Sequence, residues 1–281
     1  MDTTVNVISK KKFSVGSIFC FVTAIAMGLF GITRIASQVF SFFSYIVNVI
    51  YMSEYGLQVR ALDIIIGIRN LVNGIFTSGA YLVWIVSAVA LIALGVFLMF
   101  KISSKWLIIL SVIQVALSLL SACAHALRIM FEVVMVLFQV GNSSLQLIVD
   151  TVKRVLLRDT ISVFPFVCMA LCWALFILVT ALAKSKPSAE KKPTTIPALI
   201  VAAAFGITPW SFLVSALWGP LFNLLTTGVG LNNVLTFMNV MDWVGIFLFS
   251  LILSALFAIT FFLVTKWLCD PYKSVSVETQ Q

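Results

Sequence analysis

The chain has 281 residues, 62% of them hydrophobic and 10% charged, with a mean hydropathy of +1.14. A soluble domain carries roughly 25% charged residues, so the solvent of this chain is a bilayer. The net charge of +8 would suggest nucleic-acid binding in a soluble protein, but here the charges sort by loop, and no nucleic-acid partner is expected.

Long unbroken apolar runs, instead of alternating segments of roughly ten residues, give the fold class: all-α, a polytopic helical membrane protein. Six stretches are long enough to cross about 30 Å of hydrocarbon: 13–33, 79–100, 106–126, 161–183, 196–218 and 243–265. Lys10, Lys11 and Lys12 precede the first run and imitate a signal peptide. The run is longer than a signal core and no small-residue cleavage site closes it, so an uncleaved span is expected.

Beyond the first span, Arg34, Ser37, Ser41, Ser44 and Asn48 recur at spacings of three and four, the outer polar face of a projecting helix. Ile35 to Met52 is apolar enough to offer an alternative topology with one more crossing. Its serines and Asn48 argue against a lipid-facing span. Leu57, Ala61, Ile64, Ile65 and Ile68 then form an amphipathic face ahead of span two.

In the third span and its extension, Ser111, Gln114, Ser118, Ser121, His125, Arg128, Glu132 and Gln139 share one face of a single helix over about 106–140. Such a helix is about 50 Å long, so its last third projects beyond the bilayer. Side-chain bonding between helices is the plain account of this stripe; a hydrated cavity or solute path is the sharper one. Arg128 and Glu132 stand one turn apart, where they are able to pair. After Gly141, residues 143–159 read as an amphipathic helix capped by Asn142 or Ser143, with Leu145, Ile148, Val149, Val152 and Leu156 on its apolar side.

Pro165 and Pro209 fall within predicted helices, where a proline removes a backbone bond and is able to kink or break the span, a packing irregularity being the plainer account. Residues 184–195, with four of the lysines and two prolines, form the one evident linker. The third outer segment carries Asn223, Asn232, Asn233, Asn239 and Asp242. Trp84, Trp106, Trp210, Trp218, Trp243 and Trp267 mostly fall near span ends, as an interfacial belt would. Phe40, Phe42, Phe43 and Tyr45 need burial in an outer layer or in a partner.

The sequence also repeats. Phe30-Gly31-Ile32-Thr33 returns as Phe205-Gly206-Ile207-Thr208, and Gly56-Leu57-Gln58 as Gly230-Leu231-Asn232. These offsets divide the chain into three helical hairpins, 1–104, 105–190 and 191–267, each with a glycine break (Gly56, Gly141, Gly230) on its outer side. Residues 268–281 form a disordered cytoplasmic tail. Small residues at comparable depth in the odd spans (Ala24 and Gly28, Ala122 and Ala126, Ala202 and Gly206) suggest that those three spans meet centrally.

With both termini in the cytoplasm, the inner loops hold eleven of the twelve lysines and the outer segments all six arginines. The positive-inside rule favours this orientation in a plasma or cytoplasmic membrane. The inner lysines would attract anionic lipid head groups.

No carboxylate lies mid-span, His125 is the one histidine, and neither a GxSxG turn nor a phosphate-binding glycine loop occurs. The five cysteines, including Cys168 and Cys172 on one helix face, form no CxxC pair. No enzyme, cofactor or metal is expected. The functional expectation is a transporter-like protein, or the membrane component of a transport complex. The alternative is a non-catalytic scaffold, sensor or immunity-type protein that binds another membrane or extracytoplasmic protein through its outer layer.

Overall fold

The computed structural model describes residues 15–54, 61–100, 104–140, 144–185, 195–227 and 237–269. Seven α-helices and one short 3-10 turn account for almost all of them: α1 (Val15–Glu54), α2 (Ala61–Phe100), α3 (Ser104–Val140), α4 (Leu145–Asp159), the turn Thr160–Ser162, α5 (Phe164–Ser185), α6 (Thr195–Thr227) and α7 (Phe237–Cys269). Six helices are long and apolar enough to cross a membrane. The described residues are thus all-helical, as a multi-pass chain requires, because in hydrocarbon a helix satisfies its own backbone donors and acceptors.

Helix lengths differ from the bare spans. α1 and α2 have 40 residues each, about 60 Å, twice the hydrocarbon thickness. α1 continues through Ile35–Met52, so that segment extends the first span and makes no separate crossing. Likewise the amphipathic stretch before span two is absorbed into α2 from Ala61 onward. α3 is the single long helix that its polar periodicity predicts. The three glycine breaks lie outside the described residues.

Two local expectations need correction. The cap of α4 is Ser144, one residue beyond the predicted position, and its side chain accepts the Leu147 N–H. Neither proline breaks a helix. Pro165 stands in the first turn of α5, where its missing N–H removes no helical bond. Pro209 lies within a continuous α6. Nearby, the Ala204 carbonyl accepts from the Thr208 hydroxyl and the Cys172 thiol, and the Gly206 carbonyl from the Ser254 hydroxyl.

The six long helices close into a ring in chain order: α1 packs on α2, α2 on α3, α3 on α5, α5 on α6, α6 on α7, and α7 back on α1. The closure is visible in two contacts. Thr23 Oγ1 and Thr260 Oγ1 are 2.8 Å apart, and the Phe30 and Phe249 rings stack with centroids 4.7 Å apart.

Aromatic side chains fill the ring. At the Val15 end, Phe205 stacks on Phe261, and Trp173 meets both edge-on. Toward the Arg34 end, Trp84 meets Phe212, and Phe212 meets Phe166, both edge to face at 4.5 and 5.4 Å. Trp84 is 1% exposed and belongs to this core, not to an interfacial belt. It looked terminal only because α2 begins eighteen residues before the predicted start of span two.

The small residues also face elsewhere than expected. A Cβ on Gly28 would meet Ala88 of α2, and one on Gly206 would meet Ala258 of α7. Among the described residues, the closest packing of α1, α3 and α6 is with their sequential partners and not with one another. The glycines of the two repeated tetrapeptides both face the next long helix, at different depths of the ring. Gly31 admits α2, where a Cβ would lie 2.8 Å from Ile85 Cγ1, and Gly206 admits α7 at 3.3 Å from Ala258 Cβ.

Candidate functional site

α3 carries the candidate stripe, and its inward face is set by the polar residues themselves. Val112, Ile113, Leu119, Leu120, Leu127 and Met130 are exposed on the opposite side, where lipid contact is favourable. Ser111, Gln114, Ser118, Ser121, His125 and Glu132 are all buried, and Arg128 is half-buried. The Gln139 side chain lies outside the described residues.

Two neighbours receive the stripe. On the α2 side, Ser87 Oγ donates to Gln114 Oε1 at 2.7 Å, and Gln114 Nε2 donates to the Val86 carbonyl at 3.3 Å. Ser111 turns back on its own helix and donates to the Leu107 carbonyl. Near the far end of α3, Glu132 receives Arg69 Nε at 2.7 Å and Arg69 Nη2 at 2.6 Å on one carboxylate oxygen, and Asn73 Nδ2 on the other. Glu132 therefore pairs across to α2 and not with Arg128 one turn away. On the α5 side, Arg128 Nη2 donates to Ser162 Oγ at 3.1 Å, and His125 stacks on Phe166 with centroids 4.8 Å apart.

The middle of the stripe is unlike its ends. Ser118 Oγ, both ring nitrogens of His125 and Arg128 Nε are buried and have no hydrogen-bond partner among the described residues. These three residues follow one another on a single face over about 15 Å of helix. A buried donor or acceptor left unpaired costs about 1–3 kcal/mol. Ordered water or a polar visitor is the usual complement of such a row.

The outer polar face of α1 is not a second buried stripe. Ser37 and Ser44 are exposed, while the side chains of Ser41 and Asn48 lie outside the described residues. Arg34 is the exception: it lies 5.2 Å over the Phe30 ring and lines a cavity of about 80 Å³ with Tyr81, Trp84, Phe212 and Phe249.

α4 packs on α3 with Val155 buried, and leaves Leu145, Leu147, Val149, Leu156 and Leu157 exposed. Its expected apolar side is thus mostly uncovered by this chain. Cys172 Sγ lies 3.2 Å from Thr208 Oγ1, and Cys168 sits half-buried one turn earlier, which is a packing role at the α5–α6 contact.

Three features escaped the sequence. Arg69 and Asn73 as the partners of Glu132, Ser87 as the partner of Gln114, and the Arg34 cavity all depend on which helices are neighbours. The one available signal was the arithmetic of buried charge, since Glu132 on an inward face requires a cation from somewhere. No protein-family model, curated protein or solved structure matches the chain.

Proposed function

We propose that this protein is a transporter-type membrane protein, or the membrane component of a transport complex, in which the middle of the α3 stripe is a hydrated polar path. The observation that carries this reading is the row of unpartnered polar atoms at Ser118, His125 and Arg128 inside a ring of helices. In a bundle whose polar residues served packing alone, these groups would bond to neighbouring helices as Gln114 and Glu132 do. Aromatic packing closes the ring toward the Val15 end, so the path needs a change in helix packing to pass a solute across.

The same reading takes the ring as three hairpins, supported by the close approach of Gly31 to α2 and of Gly206 to α7. It sets both termini in the cytoplasm of a plasma or cytoplasmic membrane, supported by the lysines of the inner loops, which would hold anionic lipid there. The chemistry is passage and binding, without catalysis.

Leu at Gln114 and Ser118 together should abolish uptake in reconstituted vesicles while the protein still elutes as one species. Unchanged uptake by such a folded variant rejects the path.

A second reading has its own observation. Phe138 is 80% and Phe40 76% exposed, on the parts of α3 and α1 that exceed one hydrocarbon thickness, and large apolar groups there favour a protein partner. On that reading the chain is a scaffold, sensor or immunity-type protein. Replacing Phe40 and Phe138 by Ser would then release a partner from membranes and leave solute flux unaffected, the reverse of the outcome for Gln114 and Ser118.

A further inference from the structure

Arg34 poses a problem that the α3 path does not solve. Among the described residues the buried or half-buried cations of this end divide into paired and unpaired. Arg69 has Glu132 and Arg158 has Asp159, whereas Arg128 has the neutral Ser162 and Arg34 the face of Phe30. Tyr81 lies within electrostatic reach of both Arg34 and Arg128. Among the described residues, two positive charges thus lie within reach of one phenol, in a bundle where an uncompensated charge is expensive.

The cavity beside Arg34 is built for a charged end and an apolar body. Trp84 lines it and is 1% exposed, yet its indole N–H is buried without an acceptor. Ser250 adds a hydroxyl at the α7 wall. The rest of the lining is Phe30, Phe212 and Phe249 with aliphatic side chains of α6 and α7. Arg34, Tyr81 and Trp84 thus stand on the α1–α2 side, and the α6–α7 side is apolar apart from Ser250.

Depth narrows the ligand further. Arg34 directly follows the apolar run 13–33, which as a helix is about one hydrocarbon thickness long. The guanidinium therefore lies near the level of lipid head groups, with the apolar wall extending toward the acyl region.

We propose that this cavity binds the oxyanion end of an acidic amphiphile, a carboxylate or phosphate on an apolar chain. Arg34 takes the oxyanion, the Trp84 N–H and the Tyr81 hydroxyl donate to it, and the first carbons of the chain lie on Phe212 and Phe249. The volume of about 80 Å³ suits a head group and not a whole lipid, so the chain leaves between helices into the bilayer. Arginine fits this role because its planar fork meets a carboxylate or phosphate with two donors. The site stands on the cavity and not on the α3 path, and a binding assay requires no transport, so either idea can fail alone.

The test uses the full chain in phosphatidylcholine nanodiscs. Decanoate is titrated as the free acid, and phosphatidic acid is included in the disc as the bilayer source, with retention read by native mass spectrometry. Saturable decanoate binding identifies a diffusible acid. Retention of phosphatidic acid alone identifies a lipid head group, and either supports the site.

Arg34→Gln should weaken the bound probe by about tenfold, the loss of one charge-assisted contact. Trp84→Phe, which keeps an aromatic ring and removes the N–H, should weaken it by a smaller factor. Arg34→Lys keeps the charge without the fork and should fall between wild type and Arg34→Gln. If Arg34→Gln does not elute as a single species, Arg34→Lys decides. Binding of neither probe above the phosphatidylcholine background, or wild-type affinity in a folded Arg34 variant, overturns the proposal.

Discussion

Arg69 Nη2 of α2 lies 2.6 Å from Glu132 Oε2 of α3, and this contact ties together helices whose paired residues are 63 positions apart in the chain. The carboxylate is buried, with Asn73 completing its bonds, so it is held by α2 on both oxygens. Glu132 is thereby paired, whereas among the described residues the half-buried Arg128 and Arg34 contact a hydroxyl and an aromatic ring instead of a carboxylate.

Removing the carboxylate should destabilise the protein. Breaking a fully buried ion pair costs roughly 3–5 kcal/mol, and the loss here is smaller, about 2–3 kcal/mol, because 28% of the Arg69 side chain is exposed. Thermal unfolding of Glu132→Ala in detergent measures this. The double variant Arg69→Met, Glu132→Leu should recover part of the loss, since it leaves no unpaired charge.

Three glycines make a graded set. Gly31→Ala places a Cβ 2.8 Å from Ile85 Cγ1 and 3.2 Å from the Tyr81 carbonyl, an overpacking expected to cost about 1–3 kcal/mol. Gly206→Ala, at 3.3 Å from Ala258 Cβ, should cost less. Gly74→Ala meets nothing within 4 Å and should raise stability by up to about 1 kcal/mol through helix propensity. Unfolding midpoints in that order support the packing; a Gly31→Ala protein as stable as wild type contradicts it.

Closure of the ring has a direct chemical readout. Thr23 and Thr260 bring their hydroxyls within 2.8 Å, so cysteines at both positions, in a chain with its native cysteines replaced, should cross-link on mild oxidation. The linked chain should migrate faster in denaturing gels without reductant. Absence of the link under conditions that oxidise a control pair would open the ring between α1 and α7.

Much of this was legible in the sequence, for a physical reason. A polar residue every third or fourth position in an apolar helix cannot face lipid, so the periodicity of Ser111 to Glu132 announced both a long helix and its inward side. What periodicity cannot announce is the partner. Arg128 is one turn from Glu132, yet the carboxylate goes to Arg69 because α2 supplies an amide beside the guanidinium and α3 does not. Trp84 was misread for a related reason: its role follows from where α2 begins, and hydropathy reports the lipid-crossing part of a helix and not its projecting end. Gly28 and Gly206 correctly announced close approach, but to the sequential partner and not to the ring centre.

The central claim is that the middle of the α3 stripe meets water while the rest is packed. It is tested most directly by labelling single cysteines at Gln114, Ser118 and Ser121 in membranes, in a chain with its native cysteines replaced, with a charged, membrane-impermeant thiol reagent. The account predicts rapid modification at 118 and 121 and slow modification at 114, whose side chain is held by Ser87 and Val86. Equal resistance at all three positions, in protein that labels fully once unfolded, would contradict it.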